Sequence, residues 1–217
     1  MADSAGDHGA REARALADWV AGHLGGGGRV TPMAGDASSR RYYRLHHPRG
    51  DRVIMVVGSE PDVLERFLHT GELLRRAGLH APRVDVVAPT PGWVMLEDLG
   101  AQDYLGALTA GGGERVMEAA LRALVRWQAA PLTGELAPYD AALLERELAL
   151  FPEWYLGRHL GVRLSAAERA AWERVTQRLI ARAQGQAQVC VHRDYMARNL
   201  MDCTPLPGII DHQDAVT

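Results

Sequence analysis

The most constraining stretch lies near the end of the chain, where Val189-Cys190-Val191-His192-Arg193-Asp194-Tyr195-Met196-Ala197-Arg198-Asn199-Leu200-Met201 is followed by Gly208-Ile209-Ile210-Asp211. The spacing predicts an apolar strand over Val189 to Val191 running into a His-x-Asp turn, an Asn at Asp-x4-Asn spacing, and a second apolar strand, Ile209 and Ile210, ending on an acid. A His-Arg-Asp tripeptide alone would suit a solvated corner with a capping Asp. The Asn at that offset and the second strand-borne acid make a chemical site the better reading. Transfer of a terminal phosphoryl group needs little covalent help from protein but much positioning and charge neutralisation, and this set meets those needs. Asp194 is placed to orient or deprotonate an attacking hydroxyl. Asn199 and Asp211 are hard oxygen donors of the kind that hold Mg2+, which keeps waters and takes only a few side chains.

Composition bounds the alternatives. A chain of 217 residues, 47% hydrophobic and 24% charged, can bury a core and is long enough for one domain or two small lobes. A formal net charge of −3 with no polybasic window argues against a nucleic-acid partner bound through bulk charge. No window approaches the roughly 18 consecutive apolar residues of a membrane span, and Met1-Ala2-Asp3-Ser4 lacks a basic-then-apolar leader pattern. A cytoplasmic protein without a membrane partner is the expectation. Cys190 and Cys203 lack a Cys-x-x-Cys spacing or a ligand cluster and read as reduced packing residues. Every basic residue other than histidine is an arginine, so a phosphate-holding cation must be a guanidinium.

In chain order, residues 1–10 read as a disordered tail. Leu16, Trp19, Val20, His23 and Leu24 recur at helical spacing over residues 11–24 before Gly25-Gly26-Gly27-Gly28. Strand Val30 to Ala34, the turn Gly35-Asp36-Ala37-Ser38-Ser39-Arg40-Arg41 and strand Tyr42 to Leu45 follow. That turn is either a plain hairpin or a cradle bringing backbone N–H groups of Gly35, Asp36, Ala37 and Ser38 to phosphates, with Arg40, Arg41 or Arg44 as charge partners. A third strand, Arg52 to Val57, carries no lysine, and a helix over about 63–77 bears Glu65 and Glu72. Each is read as a solvated-face charge or as an electrostatic partner of the site. Strands Arg83 to Ala88 and Trp93 to Leu96 complete a five-stranded N-terminal lobe. Glu97-Asp98-Leu99-Gly100 is then a strand-to-helix loop or a hinge whose backbone, at Glu97 and Leu99, meets an adenine edge. Helices are predicted over 103–108, 114–130, 141–150, 153–160 and 165–183, the last opening on the capping box Ser165-Ala166-Ala167-Glu168. Phe151-Pro152-Glu153-Trp154-Tyr155 is expected to interrupt the helices, as a helix–helix corner or as the lining of a sugar pocket.

His192-Arg193-Asp194-Tyr195 with Arg198-Asn199-Leu200-Met201, Ile210-Asp211 with Gln213-Asp214-Ala215, Gly35-Asp36-Ala37-Ser38 with Arg40-Arg41-Tyr42-Tyr43-Arg44, and Leu96-Glu97-Asp98-Leu99-Gly100 together resemble the aminoglycoside-phosphotransferase-like kinase superfamily. Within it, with Leu150 to Tyr155 and Arg158-His159-Leu160, they are most similar to the bacterial N-acetylmuramate/N-acetylglucosamine anomeric kinases. The resemblance covers most of residues 15–216. It implies an α+β, two-lobed, protein-kinase-like fold: a β-rich lobe over 11–97, a hinge at 98–100 and a helical lobe over 101–217. It also implies ATP and Mg2+ as cofactors and a free amino sugar as substrate, phosphorylated at its anomeric hydroxyl in cell-wall sugar recycling. Carried over by position, Asp194 is the base, Asn199 and Asp211 the metal ligands, and Gly35 to Arg41 the phosphate cover. The missing third-strand lysine fits that subgroup. His212 stands where phenylalanine is usual, and relatives continue past Thr217 into further helices, so the helical lobe is expected to be incomplete here. Other readings are a same-fold kinase of another alcohol, such as an aminoglycoside, and a non-catalytic nucleotide-binding module.

Overall fold

The computed structural model describes residues 3–33, 40–132 and 134–217. Its contacts divide the chain into two compact units, Met1–Trp127 with His192–Asp214, and Gln128–Val191 with Ala215–Thr217.

In the first unit, helix α1 (Asp3–Leu24) precedes strands β1 (Arg29–Pro32), β2 (Arg41–His46) and β3 (Arg52–Val56), helix α2 (Pro61–Arg76), and strands β4 (Val84–Ala88) and β5 (Trp93–Glu97). The strands pair antiparallel in the order β1-β2-β3-β5-β4. Successive side chains leave a strand on opposite faces, and both faces of this sheet are covered. Tyr43, Leu45, Ile54, Val56 and Met95 meet Leu16 and Val20 of α1. Met55, Val57, Val94 and Leu96 meet Leu64 and Phe67 of α2. Two covered faces explain why Val53 to Val57 reads as an unbroken apolar run, and each fully buried Leu or Ile contributes about 1.5–3 kcal/mol. Helix α1 starts at Asp3, inside the segment expected to be disordered. Once the docked turns around Leu16 exist, each further residue adds a hydrogen bond without a new nucleation cost, so the helix extends into polar sequence.

The rest of this unit holds helix α3 (Tyr104–Thr109), N-capped by Asp103, and helix α4 (Gly113–Gln128), which buries Val116, Ala120, Ala123 and Trp127 at helical spacing. Strands β6 (Leu200–Met201) and β7 (Gly208–Ile209) form a small antiparallel pair. No helix among the described residues is long and apolar enough to cross a membrane.

The second unit is helical. Helix α5 (Ala141–Leu150) is capped by Asp140, and helix α6 (Ala166–Gln184) opens on the reciprocal Ser165–Glu168 capping box. The expected interruption after Leu150 is absent. The chain runs directly from α5 into a π-helix over Phe151–His159. Pro152 lacks an N–H, and its ring would collide with the carbonyl four residues back in a regular α-turn. A widened turn relieves both, with bonds such as Leu160 N–H to the Tyr155 carbonyl at 3.0 Å. Phe151 stacks on Tyr155 at 5.5 Å and on Trp172 of α6 at 5.3 Å, so the aromatic segment forms a helix–helix contact. The Arg158 guanidinium lies 3.8 Å over the Trp154 ring. The strand expected over Val189 to Val191 reduces to a single bridge between Val191 and Val216, whose N–H groups donate to each other's carbonyls at 2.8 and 2.9 Å. One residue pair closes two bonds but makes no ladder. Both cysteines are free, and burial pushes each thiol up from its ordinary pKa.

Candidate active site

The alternation of β2 separates the arginines that the sequence left equivalent. Arg40, Tyr42 and Arg44 line a cleft of about 270 Å³ in the first unit. Tyr43 and Leu45, out of phase with them, turn to α1. Arg41 shares that second face: it grips Glu12 of α1 through two hydrogen bonds of 2.8 and 2.6 Å and does not line the cleft. Of the three expected phosphate partners, Arg40 and Arg44 therefore line the cleft and Arg41 does not. Gly35, Asp36, Ala37 and Ser38 lie outside the described residues.

Asn199 and Asp211 both line the same cleft. The β6–β7 pair holds them together, because the Ile210 N–H donates to the Asn199 carbonyl at 3.1 Å. Gly208 makes that pairing possible. A Cβ there would stand 2.7 Å from both Cys203 Sγ and Leu99 Cδ1. The pair is tied down by the Ile209 N–H on the His80 carbonyl at 2.7 Å and by Arg115, whose guanidinium holds Asp202 at 2.9 and 2.6 Å. Asp211 has a left-handed backbone, φ 58°, a conformation that costs a non-glycine residue free energy and collects at functional sites.

Asp211 sits in a dense polar network. Arg40 Nη2 donates to its Oδ1 at 2.6 Å, while Arg40 Nη1 donates to Gln213 Oε1 at 2.7 Å. Gln213 Nε2 donates to the same Asp211 oxygen at 3.2 Å and to Asp214 Oδ2 at 3.0 Å. Burial alone would push the Asp211 carboxyl up. The bond and charge of Arg40, with Gln213 and His192, outweigh it and hold the group below the usual carboxylate range. Burial is also the largest influence on His192, whose pKa is lowered despite the Ile210 backbone and the charges of Asp211 and Asp194. Gln213, only 4% exposed, stands in the motif that carries the resemblance but was given no role there. An amide two positions past a strand-terminal acid was the available signal.

Asp194 occupies the turn before a single 3-10 turn, Ala197–Asn199. Its main-chain carbonyl accepts from Asn199 Nδ2 at 3.0 Å and from the Met196 N–H at 2.9 Å, leaving the carboxylate outside these bonds. Asn199 thereby spends its amide nitrogen inside the loop, and its Oδ1 accepts no hydrogen bond among the described residues. Tyr195 anchors the segment to α4, its hydroxyl donating to the Ala120 carbonyl at 2.7 Å. Asp194 itself does not line the cleft that Asn199 and Asp211 share.

Across the cleft, Glu97 and Leu99 are both lining residues. The Glu97 N–H is taken by the Arg83 carbonyl at 2.8 Å and the Gly100 N–H by Asp98 Oδ1 at 2.8 Å. The Leu99 N–H has no such partner among the described residues. Arg44 fastens this turn to β2 through Asp98, at 2.7 and 3.1 Å, and the Gly100 carbonyl, at 2.8 Å. Glu65 is exposed and Glu72 pairs with Arg75 on α2 at 3.0 Å, so both act as solvated helix charges. Among the described residues, no cluster of three His, Cys, Asp or Glu side chains forms a metal cage.

Residues 29–217 match the family described as the phosphotransferase enzyme family. A Pseudomonas aeruginosa N-acetylmuramate/N-acetylglucosamine kinase is 44% identical over 189 residues, covering 86% of this chain and 55% of the relative. A protein of the same name from Neisseria meningitidis is 34% identical over 193 residues, covering 86% and 57%. The chain thus spans about half the length of these curated relatives. Among solved structures, aminoglycoside phosphotransferase APH(4)-Ia superposes with a TM-score of 0.64 at 14% identity, covering 94% of this chain and 72% of that one. A choline/ethanolamine kinase family protein from Mesorhizobium loti superposes with a TM-score of 0.61 at 16% identity, covering 95% and 65%. These likenesses show the protein-kinase-like fold, and the family match over residues 29–217 goes further: the chain belongs to the phosphotransferase enzyme family.

Proposed function

We propose that this chain carries the phosphoryl-transfer machinery of a cytoplasmic kinase that moves the terminal phosphate of ATP to the anomeric hydroxyl of N-acetylmuramate or N-acetylglucosamine. The observation that supports it most is the convergence of Asn199, Asp211 and Arg40 on one cleft, opposite the Glu97 to Gly100 turn. The names of relatives 34–44% identical to this chain support the choice of acceptor.

In this reading, the adenine edge meets the backbone at Glu97 and Leu99, with 98–100 as the hinge. The Arg40 guanidinium supplies the phosphate-facing charge that lysine gives elsewhere. Gly35 to Ser38 cover the phosphates. Asp194 accepts the proton of the sugar hydroxyl, whose oxygen forms a bond to the terminal phosphorus as the bond to the ADP oxygen breaks. The products are a sugar 1-phosphate, ADP and the proton held by Asp194. Asn199 Oδ1 and the Asp211 carboxylate would hold Mg2+, whose charge, when bound, offsets that of the phosphate oxygens. The donor set fits, since Mg2+ prefers hard oxygens and retains waters and phosphate ligands instead of a full protein cage.

Asp211→Asn tests the metal placement. Calorimetric titration with ADP at several Mg2+ concentrations is expected to show affinity weakened by about tenfold or more, with the loss confined to the magnesium-dependent part. An unchanged magnesium requirement would remove Asp211 from the site.

A further inference from the structure

We infer that Gln213 and Arg40 together set the cation selectivity of Asp211 by occupying one of its two carboxylate oxygens. The inference rests on the assignment of Asp211 as a metal ligand. Both hydrogen bonds that reach this carboxylate, from Arg40 Nη2 at 2.6 Å and Gln213 Nε2 at 3.2 Å, fall on Oδ1. Among the described residues none falls on Oδ2. The orientation of the Gln213 amide is dictated by its neighbours. Oε1 faces a guanidinium and Nε2 faces the two carboxylates of Asp211 and Asp214. Reversing the amide would set donor against donor and acceptor against acceptor. Gln213 is buried, so water does not compete for these contacts.

A carboxylate fixed in this way presents a single oxygen to a cation. Mg2+ takes six ligands at short distance in near-octahedral geometry, and one oxygen per carboxylate suits it. Ca2+ takes six to eight ligands at longer distance and readily accepts both oxygens of one carboxylate. Holding Oδ1 therefore withholds the second contact that favours the larger ion. Gln213 acts as a positioning residue, since it touches the metal ligand and not the metal.

The test compares ADP binding by calorimetry in Mg2+ and in Ca2+ for the unaltered chain, Gln213→Met and Gln213→Glu. Methionine keeps the volume and loses all three hydrogen bonds of the Gln213 amide. Glutamate keeps the bond from Arg40 and loses the donor to Oδ1, so it reports if the methionine variant fails to fold. The ratio of the Mg2+ to the Ca2+ affinity is expected to fall by about tenfold in either variant, the effect typical of removing a group that orients a metal ligand. General destabilisation would weaken both affinities and leave the ratio unmoved. An unmoved ratio in the folded variants would overturn the inference while sparing the metal assignment. ADP binding by the unaltered chain that is indifferent to both cations would overturn the assignment and the inference together.

Discussion

Replacing Asp194 with Asn is expected to lower turnover of an accepted sugar by a factor of about 10² to 10⁴, the range that a positioned general base contributes. ADP affinity is expected to stay within about twofold of the unaltered value, because the change removes proton acceptance without touching a phosphate contact. The structure makes the substitution clean. The bonds that shape the loop reach Asp194 through its main-chain carbonyl, from Asn199 Nδ2 and the Met196 N–H. An amide of the same size leaves both in place, and Tyr195 remains anchored on Ala120. Single-turnover kinetics with a saturating nucleotide separates chemistry from binding. Turnover close to that of the unaltered chain would show that another group takes the proton.

The second large effect concerns His212, the residue after Asp211. Its ring is 1% exposed, stacks on Phe67 at a centroid distance of 4.7 Å, and its Nε2 meets the Phe67 carbonyl at 3.2 Å. Gly71 of α2 admits it, since a Cβ there would stand 3.0 Å from Nε2. Burial, aided by the nearby charge of His192, pushes the imidazole from 6.5 down to about 4, although the Phe67 backbone opposes this. In the unfolded chain the ring protonates as pH falls below 6.5, whereas in the fold it stays neutral until about pH 4. The unfolded state therefore binds more protons across that window, and the contribution of neutral His212 is complete above the window and lost on descending through it. Integrated over the window, the loss is about 3 kcal/mol. His212→Phe keeps an aromatic ring on Phe67 and has no proton to gain. Urea unfolding without metal or nucleotide should show the unaltered chain losing about 3 kcal/mol relative to His212→Phe between neutral pH and pH 4. Parallel stability curves would show that the folded ring protonates at its ordinary value and that burial does not hold it neutral.

Much of this architecture was legible because its signals are local. The alternation of Ile54, Val56 and Met55, Val57, the Pro61 start of α2 and the Ser165–Glu168 capping box are each written within a few residues. The spacing pointed to Asn199 and Asp211, which share the cleft, whereas Asp194, read together with them, does not line it. Arg40 and Arg41 were not told apart, although the period of β2 separates them. Deciding which face met the cleft required knowing where α1 packs. The hydrogen bond between Arg40 and Asp211 spans 171 positions, and no local pattern announces it. Gln213 escaped for the same reason, since its role depends on partners from the far end of the chain. The π-helix escaped because Pro152 predicts a break, whereas widening the turn satisfies the same steric demand without one.

The most direct test of the central proposal is acceptor-dependent release of ADP from ATP and Mg2+ by the 217-residue chain. N-acetylmuramate, N-acetylglucosamine, an aminoglycoside and no acceptor would be compared, with the product identified by phosphorus NMR. The predicted result is turnover with the two amino sugars alone and a phosphorus signal coupled to the anomeric proton. Phosphorylation of the aminoglycoside in their place, or of a sugar hydroxyl other than the anomeric one, would contradict it.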